Sequence, residues 1–379
     1  MIAERLTQTL STCASSRTVL AILLCAGLLQ THARGQETIP AALTDREFWD
    51  LFVTLSEPDG PFEDENYVSN ELGYQRTMDR LQQSVAPGGV FIGVGPEQNF
   101  HYVAALRPSM SFVVDIRRQN AIQHLMYKAL FEIATNRVDF VGRLFSRPTL
   151  AALAADVDVD TLFRVYGSAA PDAQLFATTL RAVEGTLIER HGFPLDEKDR
   201  AALAKVLAAF RDAGPEIMYV FRGSAERHPT YAAMMTAKDE QGRSWSYLAS
   251  DDAFEAVRTA QRQNLIVPVV GDFAGPKALE AIGTFVRARN ARVHLFYVSN
   301  VEPYLFTAGR ANAFYDTVLS LPFHDKALFV RTFFGSTTRE CGALRPTIRT
   351  PVISQVGPVL DAYRAGALTT QCALVTLSR

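Results

Sequence analysis

The sequence lacks a long apolar run, an excess of either charge and a basic cluster, and these absences exclude several classes of protein. Its 38 basic and 40 acidic residues nearly balance, and no basic run or arginine-aromatic interleaving indicates a nucleic-acid partner. The apolar run Val19–Leu29 is short, whereas a membrane-spanning helix needs about twenty residues. No other segment is long and apolar enough, so we expect a globular mature chain without a membrane span.

Motifs of several common catalytic and metal sites are missing as well. The seven histidines are scattered, with no His-x-x-x-His pair on a predicted helix. Neither a Gly-x-Ser-x-Gly turn nor a P-loop sequence is present. The sequence therefore predicts no metal site, and its chemistry has to be sought in a different pattern.

The N-terminus reads as an export signal over residues 1–35. Arg5 and Arg17 precede the apolar run Val19–Leu29, and small residues around Ala33 and Gly35 are suitable for cleavage. The pattern predicts a protein secreted to the periplasm or outside the cell, with an uncleaved signal anchor as the alternative. About 345 residues would remain, enough for one large core or two linked domains.

Cysteine is scarce, and its positions agree with export. Of the 4 cysteines, Cys13 and Cys25 lie in the expected signal, which leaves Cys341 and Cys372 for the mature chain. An even pair in an oxidising compartment favours a disulfide. Two buried thiols, acting as small apolar groups, are the alternative.

One segment carries the most information about fold and ligand. The apolar run Val90–Ile92 ends in Gly93-Val94-Gly95, a helix-compatible stretch follows, and the apolar run Phe112–Val114 ends in Asp115. Glycines let a backbone approach a ligand closely, and the helix start after them offers free N–H groups. A carboxylate at the tip of the second strand can accept hydrogen bonds from ribose hydroxyls. The pattern predicts the nucleotide-binding half of a doubly wound α/β sheet.

The glycine turn departs from the dinucleotide fingerprint, because Gln98 stands where G-x-G-x-x-G needs its third glycine. The turn resembles motif I of the class I S-adenosylmethionine-dependent methyltransferases. That resemblance implies that Gly93, Gly95 and Glu97 hold the methionine part of S-adenosylmethionine and that Asp115 holds the ribose. Alternatively, the glycines only shape a tight turn and the acid only caps the next helix.

Two later strand ends extend the resemblance. In Asn264–Gly275 an apolar strand ends in Gly271-Asp272-Phe273, and in this family an acid at such a place meets the adenine amino group beside an apolar neighbour. The strand Val293–Val298 then meets Asn300-Val301-Glu302-Pro303-Tyr304, which resembles the Asn-Pro-Pro-Tyr type loop of motif IV. The resemblance implies that Asn300 and Tyr304 orient the methyl acceptor. The alternatives are a turn residue and a buried ring.

A polar and aromatic segment, Glu65–Tyr74, precedes the first strand. Methyltransferases often place such a segment over the methionine end of the cofactor, and Tyr67 and Glu71, with Ser69 and Asn70, are suited to that position. The alternative is a helix N-cap formed by Ser69 or Asn70, with Glu71 in the first turn.

The fold class expected from these patterns is α/β. We predict a doubly wound, mostly parallel, Rossmann-like sheet with a large, mainly helical insertion between strands two and three. The expected division is a signal peptide (1–35), an N-terminal segment with the first half of the Rossmann-like domain (36–136), the insertion (137–263) and the second half (264–379). We expect six strands, the last at Ala373–Leu377, and helices that include Gln119–Thr135 and Val352–Ala365.

Two functions follow from this interpretation. The first is an S-adenosylmethionine-dependent methyltransferase-like enzyme with a small-molecule ligand and an unknown acceptor. The second is an exported, non-catalytic ligand-binding protein that keeps the same fold, because S-adenosylmethionine is a cytoplasmic metabolite and fold does not imply function. A nicotinamide enzyme is a third alternative, which Gln98 and the Asn300–Tyr304 segment disfavour. The sequence defines neither the acceptor nor the oligomeric state.

Overall fold

The computed structural model describes residues 39–62, 66–148, 153–154, 156–220, 228–333, 341 and 351–378. The expected signal peptide lies outside these residues. So do Glu65, at the start of the polar segment, and most of a helix predicted at Thr149–Ala155. No helix in the described part of the chain is both long enough and apolar enough to cross a membrane.

A six-stranded mixed sheet forms the centre of the protein. Its strands are β1 (Val90–Val94), β2 (Met110–Asp115), β3 (Ile266–Val270), β4 (Val293–Ser299), β5 (Phe323–Thr332) and β6 (Pro351–Gln355). They are arranged in the order β3-β2-β1-β4-β5-β6. All neighbours are parallel except β5 and β6, which are antiparallel.

The apolar runs in the sequence explain the parallel part of the sheet. Every residue of β2 and β3 is buried, as expected when helices cover both faces and the strands have no polar side. The strand order reverses between β1 and β4. Because crossovers between parallel strands are right-handed, the helices of the two halves lie on opposite faces. This is a Rossmann-like α/β fold, and its topological switch point lies at the carboxyl ends of β1 and β4.

Helices make up most of the rest of the described chain. They are α1 (Asp45–Leu55), α2 (Gln75–Ser84), α3 (Asn99–Leu106), α4 (Arg118–Ile133), α5 (Arg137–Leu144), α6 (Val159–Ser168), α7 (Ala173–Glu184), α8 (Glu197–Ala213), α9 (Tyr231–Thr236), α10 (Asp251–Arg262), α11 (Ala278–Ala288), α12 (Val301–Thr307), α13 (Ala311–Leu319), α14 (Val356–Arg364) and α15 (Gln371–Leu377). Helices α4 to α10 lie between β2 and β3. Whether that stretch is an insertion into a smaller core stays a prediction.

The helix α4 positions the site, and its place was predicted closely from the three-four spacing of its apolar residues. Ile122, Leu125 and Met126 are completely buried, and the helix packs on β2 and β3 and against α8 and α10. Polar residues on the same helix are also buried, among them Asn120 and His124. A helix that is buried nearly all round must satisfy such groups internally or through a ligand.

A charged network joins α1 to α4. The Lys128 ammonium donates to the Glu132 carboxylate at 2.7 Å, and both side chains are 1% exposed. The other oxygen of Glu132 lies 2.8 Å from His191 Nε2, and His191 Nδ1 lies 2.7 Å from the Asp45 carboxylate. Because each buried charge has a partner, the network ties the N-terminal helix to the sheet-covering helix at little net cost.

The C-terminal part differs from the sequence-based expectation. Val352–Ala365 was predicted as one helix, but its first residues belong to the edge strand β6 and only Val356–Arg364 is helical. Ala373–Leu377 was predicted as the last strand and is part of α15. Short apolar runs fit a strand and a buried helix equally well, so the pattern alone could not separate them. The apolar run Glu216–Phe221 is strand-like in sequence, but among its described residues only Met218 pairs, in a single bridge with Thr230.

The predicted cysteine pair is bridged. Cys341 and Cys372 form a disulfide with Cα atoms 5.1 Å apart, 31 residues apart in sequence. The bridge ties the connection between β5 and β6 to α15. We expect mass spectrometry of freshly purified protein, digested without reductant, to show the two cysteine peptides linked, and to show them separate after reduction. Two free thiols in protein from its native host would contradict this prediction.

Candidate functional site

Four strand ends meet at one edge of the sheet. The strands β3, β2, β1 and β4 are parallel neighbours, so their carboxyl ends lie side by side. Asp115 pairs with Val270, and its carbonyl accepts a hydrogen bond from the Gly271 amide at 2.8 Å. Asp272 therefore lies next to Asp115. Gly95 and Asn300 follow the ends of β1 and β4, on either side of the switch point.

The glycine turn is held open by three side chains. Gly95 has a φ of +76°, a conformation that favours glycine, and no atom of the described residues lies within 4 Å of where a Cβ would stand. Its carbonyl accepts from Asn99 Nδ2 at 3.1 Å, Asn120 Nδ2 at 3.2 Å and His124 Nε2 at 2.9 Å. Gly93 is constrained differently, because a Cβ there would lie 1.9 Å from Asn99 Oδ1. The turn thus has a fixed shape with empty space beside it.

The side chains around this turn present unused acceptor atoms. Asn99 Oδ1, Asn120 Oδ1, His124 Nδ1 and Gln98 Oε1 are buried and have no hydrogen-bond partner among the described residues. Burial lowers the pKa of His124 to about 4, so the ring is neutral at pH 7. With Nε2 donating to Gly95, its Nδ1 is an acceptor. An orphaned buried acceptor costs free energy unless a donor reaches it, so the arrangement suits a ligand rich in N–H or O–H groups.

Two buried carboxyl groups lie beside the same turn. Glu97 is fully buried and accepts from the Ser69 amide at 3.1 and 3.3 Å, and burial raises its pKa to about 7. Glu71 is 2% exposed, accepts from Gln98 Nε2 at 3.2 Å and from the Ser299 hydroxyl, and burial raises its pKa too. Within the described part of the chain, neither carboxylate has a salt bridge to a basic side chain.

The polar segment before α2 lies at this edge of the sheet. The Tyr67 carbonyl accepts from Gln123 Nε2 at 2.6 Å, which places the segment over the first turns of α4. Asn70 Nδ2 lies 3.4 Å from His228 Nδ1. The alternative reading as an N-cap does not hold for α2, since the helix begins at Gln75 after a short 3₁₀ turn with no side-chain cap. We call residues 66–71 the strap.

The two acidic residues at the ends of β2 and β3 are both paired with arginines. Asp115 is bidentate with Arg117, with both N–O distances 3.0 Å. Asp272 accepts from the Ala274 amide at 2.9 Å and forms an ion pair with Arg310. Its side chain is 20% exposed, so it can be reached from solvent.

Phe273, predicted to lie beside the adenine, is buried in the core. It is 3% exposed and packs in the core, with its ring stacked on Phe314 at 5.7 Å and edge-on to Phe296 at 5.2 Å. The apolar neighbour expected beside the acid of β3 is therefore used in core packing.

The segment after β4 is helical, which corrects the expectation of a loop. Asn300 immediately precedes α12, and Tyr304 lies within that helix with 45% of its surface exposed, so it is not the buried ring of the alternative reading. Glu302, one of the two residues that separate Asn300 from the proline, is buried. Its carboxylate accepts from Arg331 Nε at 2.6 Å and from Tyr315. This ion pair fixes the helix to β5.

Several residues of the site were not identified from the sequence. In the sequence, Gln98 was noted only because it stands in place of a glycine. In the structure its Nε2 donates to the Glu71 carboxylate and to the Tyr102 hydroxyl, each at 3.2 Å. Asn120 and His124 are four residues apart on one face of α4, but the helix contains several other polar residues, so the spacing alone did not single them out. No group of three or more metal-binding side chains occurs among the residues that the structure describes.

Comparison with known proteins gives a family without a function. A comparison with curated proteins found no match. One family model matches residues 67–157 and 155–347, which together contain every site residue predicted from the sequence, from Tyr67 to Tyr304. The match covers well over half of the chain. The chain therefore belongs to the family described as Domain of unknown function (DUF7790).

Proposed function

We propose that this protein binds S-adenosylmethionine at the carboxyl edge of its sheet and is a methyltransferase-like enzyme. The observation that carries the proposal is the pair of buried carboxyl groups, Glu71 and Glu97, which lack a basic partner among the described residues. A buried carboxylate without a counter-ion is costly, so the site favours a ligand that brings positive charge. S-adenosylmethionine has an ammonium and a sulfonium group.

The topology supports the same ligand. Gly95 and the Glu71–Ser299 contact lie at the switch point, where ligands of such sheets bind. The antiparallel β6 beside β5 matches the antiparallel edge strand of the methyltransferase family. A nicotinamide dinucleotide suits the site less well, because its anionic pyrophosphate would lie close to the buried acids.

Different residues would bind different parts of the proposed ligand. Glu97 and Glu71, with the Gly93–Gly95 turn, would take the methionine part under the strap, where Tyr67 lies. Asp115 would take the ribose and Asp272 the adenine amino group, while Phe273 is committed to the core. When bound, the cofactor supplies an activated methyl group. The chain contributes position, because transfer needs an in-line approach of the acceptor. Asn300 and Tyr304, at the same edge, would orient it.

A second function is favoured by one observation. The segment Asn300–Tyr304 forms a helix with Glu302 locked in the core, so it lacks the loop that holds the acceptor in amino-methylating relatives. The alternative proposal is a non-catalytic ligand-binding protein with the same fold. Saturable binding of S-adenosylmethionine without formation of S-adenosylhomocysteine, over a broad set of acceptors, would favour it. Export to the periplasm or the cell exterior stays a prediction and would suit this alternative.

We expect Asp115→Ala to weaken the binding of S-adenosylhomocysteine at least about tenfold. Charge-assisted hydrogen bonds from ribose hydroxyls contribute roughly 1.5–3 kcal/mol each, and about 1.4 kcal/mol corresponds to one decade in affinity. Calorimetric titration of both proteins measures the change. Asp252→Ala, which removes an exposed carboxylate paired with Arg107, serves as the control and should bind as the wild type does. If Asp115→Ala binds S-adenosylhomocysteine as tightly as wild type, the ribose is not held by Asp115.

A further inference from the structure

The side chain of Arg117 is hydrogen-bonded to the carboxylate of Asp115, which the proposed function assigns to the ribose. Its Nε lies 3.0 Å from Asp115 Oδ1 and its Nη2 lies 3.0 Å from Oδ2. The backbone amide of Arg117 also donates to Oδ1, at 2.9 Å. Both side chains are about nine-tenths buried, so this is an enclosed fork-shaped pair and not a loose surface contact.

The pair leaves Asp115 little capacity to accept further hydrogen bonds. A carboxylate offers about four acceptor positions on its two oxygens, and Arg117 fills three of them. A ribose whose two adjacent hydroxyls both donate to Asp115 needs at least two. A nucleoside can therefore form its full set of bonds only after the guanidinium has left.

The surroundings hold the guanidinium in place. Its Nη1 donates to the Asn66 carbonyl at 3.4 Å, at the start of the strap. The ring of Phe62 lies 5.0 Å from the guanidinium carbon, within the range of a cation–π contact. Removing Arg117 from Asp115 therefore also disturbs contacts with the segments before and within the strap, which adds to the cost of admitting a ligand.

We propose that Arg117 competes with the ligand for Asp115 and so lowers the affinity of the site for any nucleoside. The inference rests on the proposed function. A plain nucleoside binds only through its ribose and base, and these contacts do little to offset the free energy of displacing Arg117. A nucleoside that also carries an ammonium group gains from Glu71 and Glu97 as well. Arg117 therefore lowers the affinity for both compounds, and only the S-adenosyl amino acid has additional contacts that offset the cost.

The test is calorimetric titration of adenosine and of S-adenosylhomocysteine into wild type, Arg117→Ala and Arg118→Ala. Arg118 is the matched control, because it is the adjacent arginine and pairs with Asp199 at 2.7 Å instead of Asp115. We expect Arg117→Ala to bind adenosine at least about tenfold more tightly than wild type, while Arg118→Ala binds both compounds as wild type does. S-adenosylhomocysteine should gain affinity by a similar factor, because it displaces the same guanidinium.

The outcomes separate this inference from the proposed function. If wild type binds S-adenosylhomocysteine and Arg117→Ala binds adenosine no more tightly, competition by Arg117 is wrong and the proposed function stands. If neither protein binds either compound, both fail. Arg117→Lys keeps the positive charge but cannot form both side-chain bonds to Asp115, so we expect a smaller gain in adenosine affinity. This variant replaces Arg117→Ala in the test if a thermal melt shows that Arg117→Ala is unfolded.

Discussion

Replacing Glu302 with alanine is expected to lower the free energy of unfolding by about 3–5 kcal/mol, the cost of leaving one buried charge without its partner. Arg331 is completely buried and Glu302 is 1% exposed. The guanidinium donates to both carboxylate oxygens, at 2.6 and 3.1 Å, and also reaches Ser354 on β6. Without Glu302, the charge of Arg331 stays in the core without a carboxylate, and α12 loses its attachment to β5. Urea unfolding at pH 7 measures the loss.

Two comparisons make this prediction specific. Asp361→Ala breaks an exposed ion pair with Arg364 and should change stability by less than about 1 kcal/mol. The double variant Glu302→Leu with Arg331→Met removes both charges and should recover much of the loss. A loss below about 1 kcal/mol in Glu302→Ala would show that the pair does not anchor α12.

The stability of the ligand-free protein is expected to fall by about 3 kcal/mol between pH 4 and pH 8 through Glu97 alone. Burial raises the pKa of this carboxyl from 4.5 to about 7. Below pH 4.5 it is protonated in both states and contributes no difference. Between pH 4.5 and 7 the unfolded chain has lost the proton that the folded chain retains, so stability falls as pH rises. Above about pH 7 the full penalty is present.

The variant Glu97→Gln tests this assignment, because glutamine keeps the acceptor for the Ser69 amide and cannot ionise. Relative to wild type, it should gain up to about 3 kcal/mol at pH 8 and almost nothing at pH 4, in urea unfolding across that range. Glu280→Gln, at an exposed position on α11, is the control and should follow the wild-type profile. Parallel profiles for wild type and Glu97→Gln would contradict the account.

Sequence patterns were sufficient to predict the strands around the candidate site. Parallel strands buried on both faces give uninterrupted apolar runs, so β1 to β5 were found, and the glycines and acids at their ends were placed at one edge of the sheet. The positive φ of Gly95 and the position of Asp115 at a strand tip follow from the same local rules.

The partners of these residues could not be predicted, because they come from distant parts of the chain. The contact of Glu71 with Ser299 joins residues 228 positions apart, and no local pattern indicates it. Likewise, the sequence showed Glu302 only as an extra residue between Asn300 and Pro303. Its ion pair with the distant Arg331, which anchors the helix, could not be seen there. At the C-terminus, short apolar runs without a clear period left strand and helix indistinguishable.

The most direct test of the central claim is calorimetric titration of the protein with S-adenosylmethionine, with S-adenosylhomocysteine and with NAD at pH 8. We expect both S-adenosyl compounds to bind at one site per chain and NAD not to bind, because the buried acids Glu71 and Glu97 favour a ligand with an ammonium group and disfavour a pyrophosphate. Tight binding of NAD, or the absence of any S-adenosyl binding at millimolar ligand, would contradict the claim.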